Sequence, residues 1–144
     1  MGISLAMILL TRILIMAAVG LACEVLFTAL SEYRKTGDLR LRGFTYIWML
    51  PIYAVIYPAL SVLYPRLAGL PFPARGAVYV LLIYAVEYSS GRLLRTALGE
   101  APWEREYRGA RWAVDALIRL DYAPAWFAAA LCYEWVFRVL RGSI

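Results

Sequence analysis

Histidine is missing from all 144 residues, and lysine occurs once, as Lys35. Without imidazole the chain lacks the commonest transition-metal ligand and the usual general base near neutral pH. Cysteine is scarce: Cys23 and Cys132 both lie within apolar runs, and there is no CxxC pair, so both read as small packing residues. No glycine-rich phosphate loop of the GxxxxGK[ST] type occurs, and there is no nucleophile–histidine pair. These absences leave no metal centre, no cofactor site and no recognisable catalytic set to expect. Charge is also thin, at 17% Asp, Glu, Lys and Arg, where a soluble domain carries about 25%.

What fills the space is apolar. Hydrophobic residues make up 63% of the chain, against about 45–50% in soluble domains, and the mean hydropathy is +0.66. Apolar runs long enough to cross a bilayer recur four times. The expected fold is an all-α membrane protein, one integral-membrane domain over residues 1–144, with spans at residues 5–30, 44–64, 76–98 and 122–140. The first run is too long for a signal peptide and lacks its basic leader, so it is expected to stay as a span.

Between the third and fourth runs, residues 103–120 repeat apolar side chains at helical spacing: Tyr107, Ala110, Val114, Leu117 and Ile118. Arg108, Arg111, Asp115 and Arg119 fall on another face. This pattern predicts an amphipathic helix lying in the headgroup plane. Within the second run, Pro51 and Pro58 stand seven residues apart and predict a kink.

Arginine supplies 14 of the 15 basic residues, and the net charge is +5. Short basic loops between apolar spans point to anionic lipid headgroups as partners, not to nucleic acid. Four basic residues follow the first run and six lie around the third connection, against two in the second connection and two in the C-terminal tail, with Arg12 left over. The excess places those two connections in the cytoplasm and both termini outside, in the cell membrane.

The candidate site residues are the polar groups inside the apolar runs and the aromatics around them. Glu24 and Glu87 lie on like-oriented spans, each on the order of 10 Å from the basic edge at about 1.5 Å per residue. Neither has a basic residue at i±3 or i±4. Three roles are open to them. They can be structural, paired with Arg111 or Arg119; they can bind a proton, cation or cationic solute; or they can be acid and base in a lipid-modifying enzyme. Glu134 differs, because Arg138 follows one turn later in the favourable order for a helical pair. Asp121 stands at the start of the fourth run beside Arg119. Trp48 and Tyr53 in the second run, and Tyr122 and Trp126 in the fourth, are candidate lining residues.

The segments EVLFTAL, GFTYIWMLPIY, VEYSSGRLLR, APWEREY and RLDYAPAWF occur in this order along nearly the whole chain. Together they resemble the ABC-transporter type IV family, which includes the animal transmembrane protein 229 proteins. The most specific piece is RLDYAPAWF. The family pattern has Pro-Trp-Asp-Tyr after the third span; here Pro102-Trp103 is followed by Glu104-Arg105-Glu106 before Tyr107. The resemblance implies a multi-pass membrane protein, and any ATPase motor would be a separate chain. It carries over no catalytic residue.

The function expected is binding or movement of a small solute, ion or lipid through a glutamate-containing polar pocket. The alternatives are an enzyme acting on lipid at the cytoplasmic interface and an accessory subunit of a membrane complex. With four short spans the interior is small, so a homodimer is a further expected state.

Overall fold

The computed structural model describes residues 4–142. It is mostly helical: α1 (Leu5–Thr36), α2 (Met49–Ala54), α3 (Ile56–Leu67), α4 (Phe72–Leu98), the single turn α5 (Glu104–Tyr107), a two-stranded hairpin of β1 (Ala113–Val114) and β2 (Ile118–Arg119), a 3₁₀ turn (Leu120–Tyr122) and α6 (Ala123–Gly142). Among the described residues three stretches are long and apolar enough to cross a membrane: Leu5–Thr36, Met49–Leu67 and Phe72–Leu98. The helix over the fourth apolar run is present as α6, but Glu134, Arg138 and Arg141 dilute it, and it is not among these three.

The described residues group into two compact units, residues 4–64 with 133–142, and residues 65–132. In the first unit α1 is capped by Ser4, whose hydroxyl accepts from the Met7 N–H. The helix passes Ser31, where the apolar run ends, and stops only at Gly37, whose φ of 69° no β-carbon resists. Arg34 and Lys35 in its last turn suit the negative end of the helix dipole.

The kink expected in the second run is a one-residue interruption at Val55, which keeps helical angles of φ −72° and ψ −20°. Pro58 has no N–H to give the Ala54 carbonyl, and its ring crowds that carbonyl. The helix accordingly ends at Ala54 and restarts at Ile56. Pro51 lies in the first turn of α2, where an intrahelical N–H is not required. α2 packs on α1 at Gly20. A Cβ there would lie 2.5 Å from Cγ of Tyr53, so only glycine admits the ring. Tyr133 and Phe137 of α6 continue this core, the Tyr133 ring tilted with its centre 6.4 Å from that of Tyr53 and the Phe137 ring 5.3 Å from that of Tyr57.

The second unit corrects the expected amphipathic helix over residues 103–120. After Gly99 ends α4, the chain makes one helical turn, turns again at Gly109 with φ 81°, and forms the β1–β2 hairpin. The pairs are Ala113 with Arg119 and Val114 with Ile118. Asp115 and Ala116 both take φ 53° at the hairpin's reversal, the left-handed pair that a tight β-turn of this hand needs. The apolar periodicity does not form one face: Leu117 and Tyr107 are buried, while Val114 is 42% exposed. Burial of Leu117 against α4 decides the matter, because a Cβ on Gly91 would lie 2.8 Å from its Cδ2.

Candidate functional site

The first carboxylate is Glu24, near the middle of α1. Its Oε2 accepts from the Tyr53 hydroxyl at 2.9 Å and from the Thr45 hydroxyl at 3.0 Å. Tyr53 reaches it because Gly20, one turn earlier on α1, lets the ring lie against the helix. Thr45 reaches it because the neighbouring Phe44 peptide is tied to α1: Thr28 Oγ1 accepts from the Phe44 N–H at 2.9 Å and donates to its carbonyl at 2.8 Å. Trp48, expected to line the same region, stands exposed just before α2.

The second carboxylate is Glu87, buried on α4. Its Oε1 accepts from the Tyr107 hydroxyl at 2.8 Å. Tyr107 is placed by the turn α5, which is anchored through Glu104. Glu104 Oε2 accepts from the Ala101 N–H at 3.0 Å and from Arg95 Nε at 3.0 Å. The Ala101 N–H and then the Arg95 guanidinium hold the Glu104 carboxyl below its ordinary value. Arg95 also gives Nη1 to Asp115 Oδ2 at 3.0 Å and Nη2 to the Asp115 carbonyl at 2.6 Å. One guanidinium on α4 therefore gathers the turn before Tyr107 and the hairpin's reversal. Trp103 closes the arrangement, its Nε1–H donating to the Leu117 carbonyl at 2.9 Å.

Lower on α4, the Tyr84 hydroxyl lies 3.0 Å from the carbonyl of Arg119 and 3.1 Å from that of Leu120. The Arg119 guanidinium is ion-paired with Asp121 and lies 4.1 Å from the centre of the Tyr122 ring. Tyr122 in turn meets Tyr107 and Trp126 edge to face. An apolar groove of about 560 Å³ runs beside this turn, lined by Ala77, Val80, Leu81, Tyr84, Ala123 and Phe127 among others.

Of the residues singled out in the sequence, Glu24 and Tyr53 meet directly. Arg119, Asp121, Tyr122 and Trp126 form one connected chain. Arg111 lies over Trp112 at 5.5 Å, and Arg119 is committed to Asp121. Glu134 is 3% exposed, and Arg138 one turn later is exposed. Sequence reasoning missed Thr45, Arg95, Glu104 and Asp115, and it placed Tyr107 only as an apolar position. The signal was present in Glu104-Arg105-Glu106, where an acidic group precedes the tyrosine that meets Glu87. Among the described residues no three His, Cys, Asp or Glu side chains gather as metal ligands.

No solved structure matches the chain. The model of the family described as Putative ABC-transporter type IV matches residues 12–142. With apolar helices of spanning length, a buried carboxylate on one of them and a match over nearly its whole length, this chain is a membrane protein that belongs to that family.

Proposed function

We propose that the protein binds and moves a small polar solute or cation, or a lipid headgroup, at Glu24 and Glu87. One observation carries the reading: each carboxylate sits on a helix of spanning length and takes a phenol from a different element, Tyr53 for Glu24 and Tyr107 for Glu87. An acidic group inside an apolar span is costly, by about 2.5–3.5 kcal/mol on insertion scales, and is retained where it serves a pathway. A phenol is a donor that can turn away and leave the carboxylate to a cation or ammonium group. Under this reading α6 is a fourth span with Glu134 inside it. The chain then crosses the cell membrane four times, with both termini outside and its basic connections on anionic lipid. Trp48, Arg111, Arg119, Asp121, Tyr122 and Trp126 belong to the surroundings of these sites, and a homodimer widens the small interior.

The test is flux in reconstituted vesicles, read with an entrapped pH dye and by solid-supported-membrane currents with a panel of cationic solutes. Glu24→Gln and Glu87→Gln each abolish the signal while the purified variants stay monodisperse. Unfolding of both variants in detergent makes the carboxylates structural and sinks the reading.

A second reading rests on the family description. ABC transporters are driven by ATPases, and these 144 residues contain no phosphate loop. The chain is then a membrane subunit that works with a separate ATPase chain. Stable co-purification with an ATPase, and flux only in its presence, separates this from a self-sufficient carrier. A purified chain that changes the mass of components in a lipid extract instead makes it an enzyme.

A further inference from the structure

The β1–β2 hairpin is built inside out. Residues opposite each other in an antiparallel ladder share a face. Val114 pairs with Ile118, and two residues further along the ladder the Leu120 N–H donates to the Trp112 carbonyl at 3.0 Å. Trp112, Val114, Ile118 and Leu120 therefore stand on one face, and all four are apolar. That face points outward: Trp112 is 53% exposed, Val114 42% and Leu120 44%, with Ile118 partly exposed. The other face carries Ala113 and Arg119. The Arg119 guanidinium is ion-paired with Asp121 and lies 6.0 Å from the centre of the Tyr107 ring, so its charge is turned into the protein. A hairpin with one face in water has the opposite distribution, apolar inward and polar outward.

The outer face continues into an apolar groove. Leu120 lines the groove of about 560 Å³, whose wall on α4 includes Ala77 and Leu81. Leu81 is exposed on a helix of spanning length, so this wall belongs to the lipid-facing side of that helix. The polar side chain in the lining is Tyr84, and its hydroxyl is engaged by the Arg119 and Leu120 carbonyls. The groove therefore suits hydrocarbon. Backbone next to lipid needs its polar groups served within the protein. The Leu117 N–H donates to the Val114 carbonyl at 3.0 Å, and the Ala113 N–H to the Ala110 carbonyl at 3.1 Å. At the rim, the Arg111 guanidinium lies 5.5 Å from the centre of the Trp112 ring. Indoles gather where acyl chains meet headgroups, and an arginine beside one can snorkel to the polar side. We infer that the outer face of the hairpin is a lipid-binding surface: Trp112, Val114, Ile118 and Leu120 lie on the acyl chains of membrane phospholipid, and one chain seats in the groove beside Leu120. The membrane contact expected of a helix over residues 103–120 is then made by two strands. The inference rests on α4 crossing the membrane, as the proposed function does, but on neither carboxylate.

The test is spin-label accessibility in phosphatidylcholine nanodiscs. In a Cys23→Ala, Cys132→Ala background, nitroxides are attached at Val114→Cys, Ile118→Cys and Leu120→Cys. Val86→Cys on α4 and Leu39→Cys in the exposed connection before α2 are the references. Oxygen concentrates in hydrocarbon, whereas a nickel–ethylenediaminediacetate complex stays in water. The hairpin labels collide with oxygen as often as the label at Val86→Cys. They meet the nickel complex about tenfold less often than the label at Leu39→Cys, because a polar group is costly to place in hydrocarbon. Nickel collision at the Leu39→Cys level, with Val86→Cys still protected, puts the hairpin in water; the inference is overturned and the span stands. Low collision with both reagents means that protein covers the face, a second copy or another subunit, and overturns it equally. Nickel access at Val86→Cys takes α4 out of lipid, and the proposed function falls with the inference. Should the labelled variants aggregate, the unaltered chain decides, photolysed in nanodiscs whose phospholipid carries a diazirine on its acyl chain. Adducts on residues 112–120 support the lipid surface. Adducts on α4 with none on 112–120 overturn it, and adducts on neither remove the span as well.

Discussion

The ring of Tyr53 fills the space that a β-carbon on Gly20 would need, 2.5 Å from where that atom would stand, and its hydroxyl then lands on Glu24. Packing and polar placement at this point are one arrangement. Gly20→Ala should therefore cost about 1–3 kcal/mol, as overpacking of a close contact does. The midpoint of thermal unfolding in detergent reads it. In a Tyr53→Ala background the same change should cost no more than about 0.5 kcal/mol, because the obstructing ring is gone.

Tyr107→Phe keeps the ring that packs on Tyr122 and removes the hydroxyl from Glu87. A buried acceptor that loses its donor costs about 1–3 kcal/mol. The destabilisation should appear in equilibrium unfolding, and Tyr107→Leu should add to it through the lost ring contact. Equal stability of Tyr107→Phe and the parent would mean that the hydroxyl contributes nothing.

Arg95 gives three nitrogens to three acceptors on Glu104 and Asp115. A lysine offers one point charge and cannot span that set. Arg95→Lys should loosen the segment almost as much as Arg95→Ala does. Trypsin cleavage at the exposed Arg105, Arg108 and Arg111 should accelerate in both, about tenfold for each 1.4 kcal/mol lost. Rescue by lysine would show that charge alone holds the turn.

The Glu104 carboxyl is held below its ordinary value of 4.5, first by the Ala101 N–H and then by Arg95. A carboxylate with a lowered folded value stabilises the structure above its unfolded value. That contribution fades as pH falls below about 4.5 toward the folded value. Protection from hydrogen exchange over residues 99–117, taken relative to the intrinsic rate at each pH, should fall through that acid window, while protection in α1 stays level. Glu104→Gln should already be less protected at neutral pH and lose most of the acid-induced fall.

The long apolar helices were legible because runs of that length have few other uses, and α1 and α4 occupy the expected regions with shifted ends. The ends shifted because backbone sets them: Gly37, not Ser31, stops α1, and Phe72, next to Pro71, opens α4 before the apolar run begins. Glu24 and Glu87 were legible as misfits in apolar surroundings. Their donors were not, since Tyr53 looked like one aromatic among several and Tyr107 like one apolar position in a stripe. The hairpin was hidden for a related reason. A 3.6-residue repeat of five apolar positions between Tyr107 and Ile118 also suits a folded loop, and only the long-range claims of Arg95 on Asp115 and of Gly91 on Leu117 choose between them. Such claims join residues 20 or more apart and leave no local period.

The Thr28 hydroxyl is shared between both halves of the Phe44 peptide, with Val25 O also 3.0 Å away. A helix side chain thus stands in for the neighbouring strand that extended backbone usually requires. Because Thr28 lies one turn beyond Glu24, and Thr45 directly follows Phe44, this lock sets the register of Thr45 against the carboxylate. The length of the chain between Gly37 and Gly43 is thereby decoupled from the site. Residues can be added or lost at 38–42, and the change is absorbed as a longer or shorter outer loop while the hydroxyl stays on Glu24.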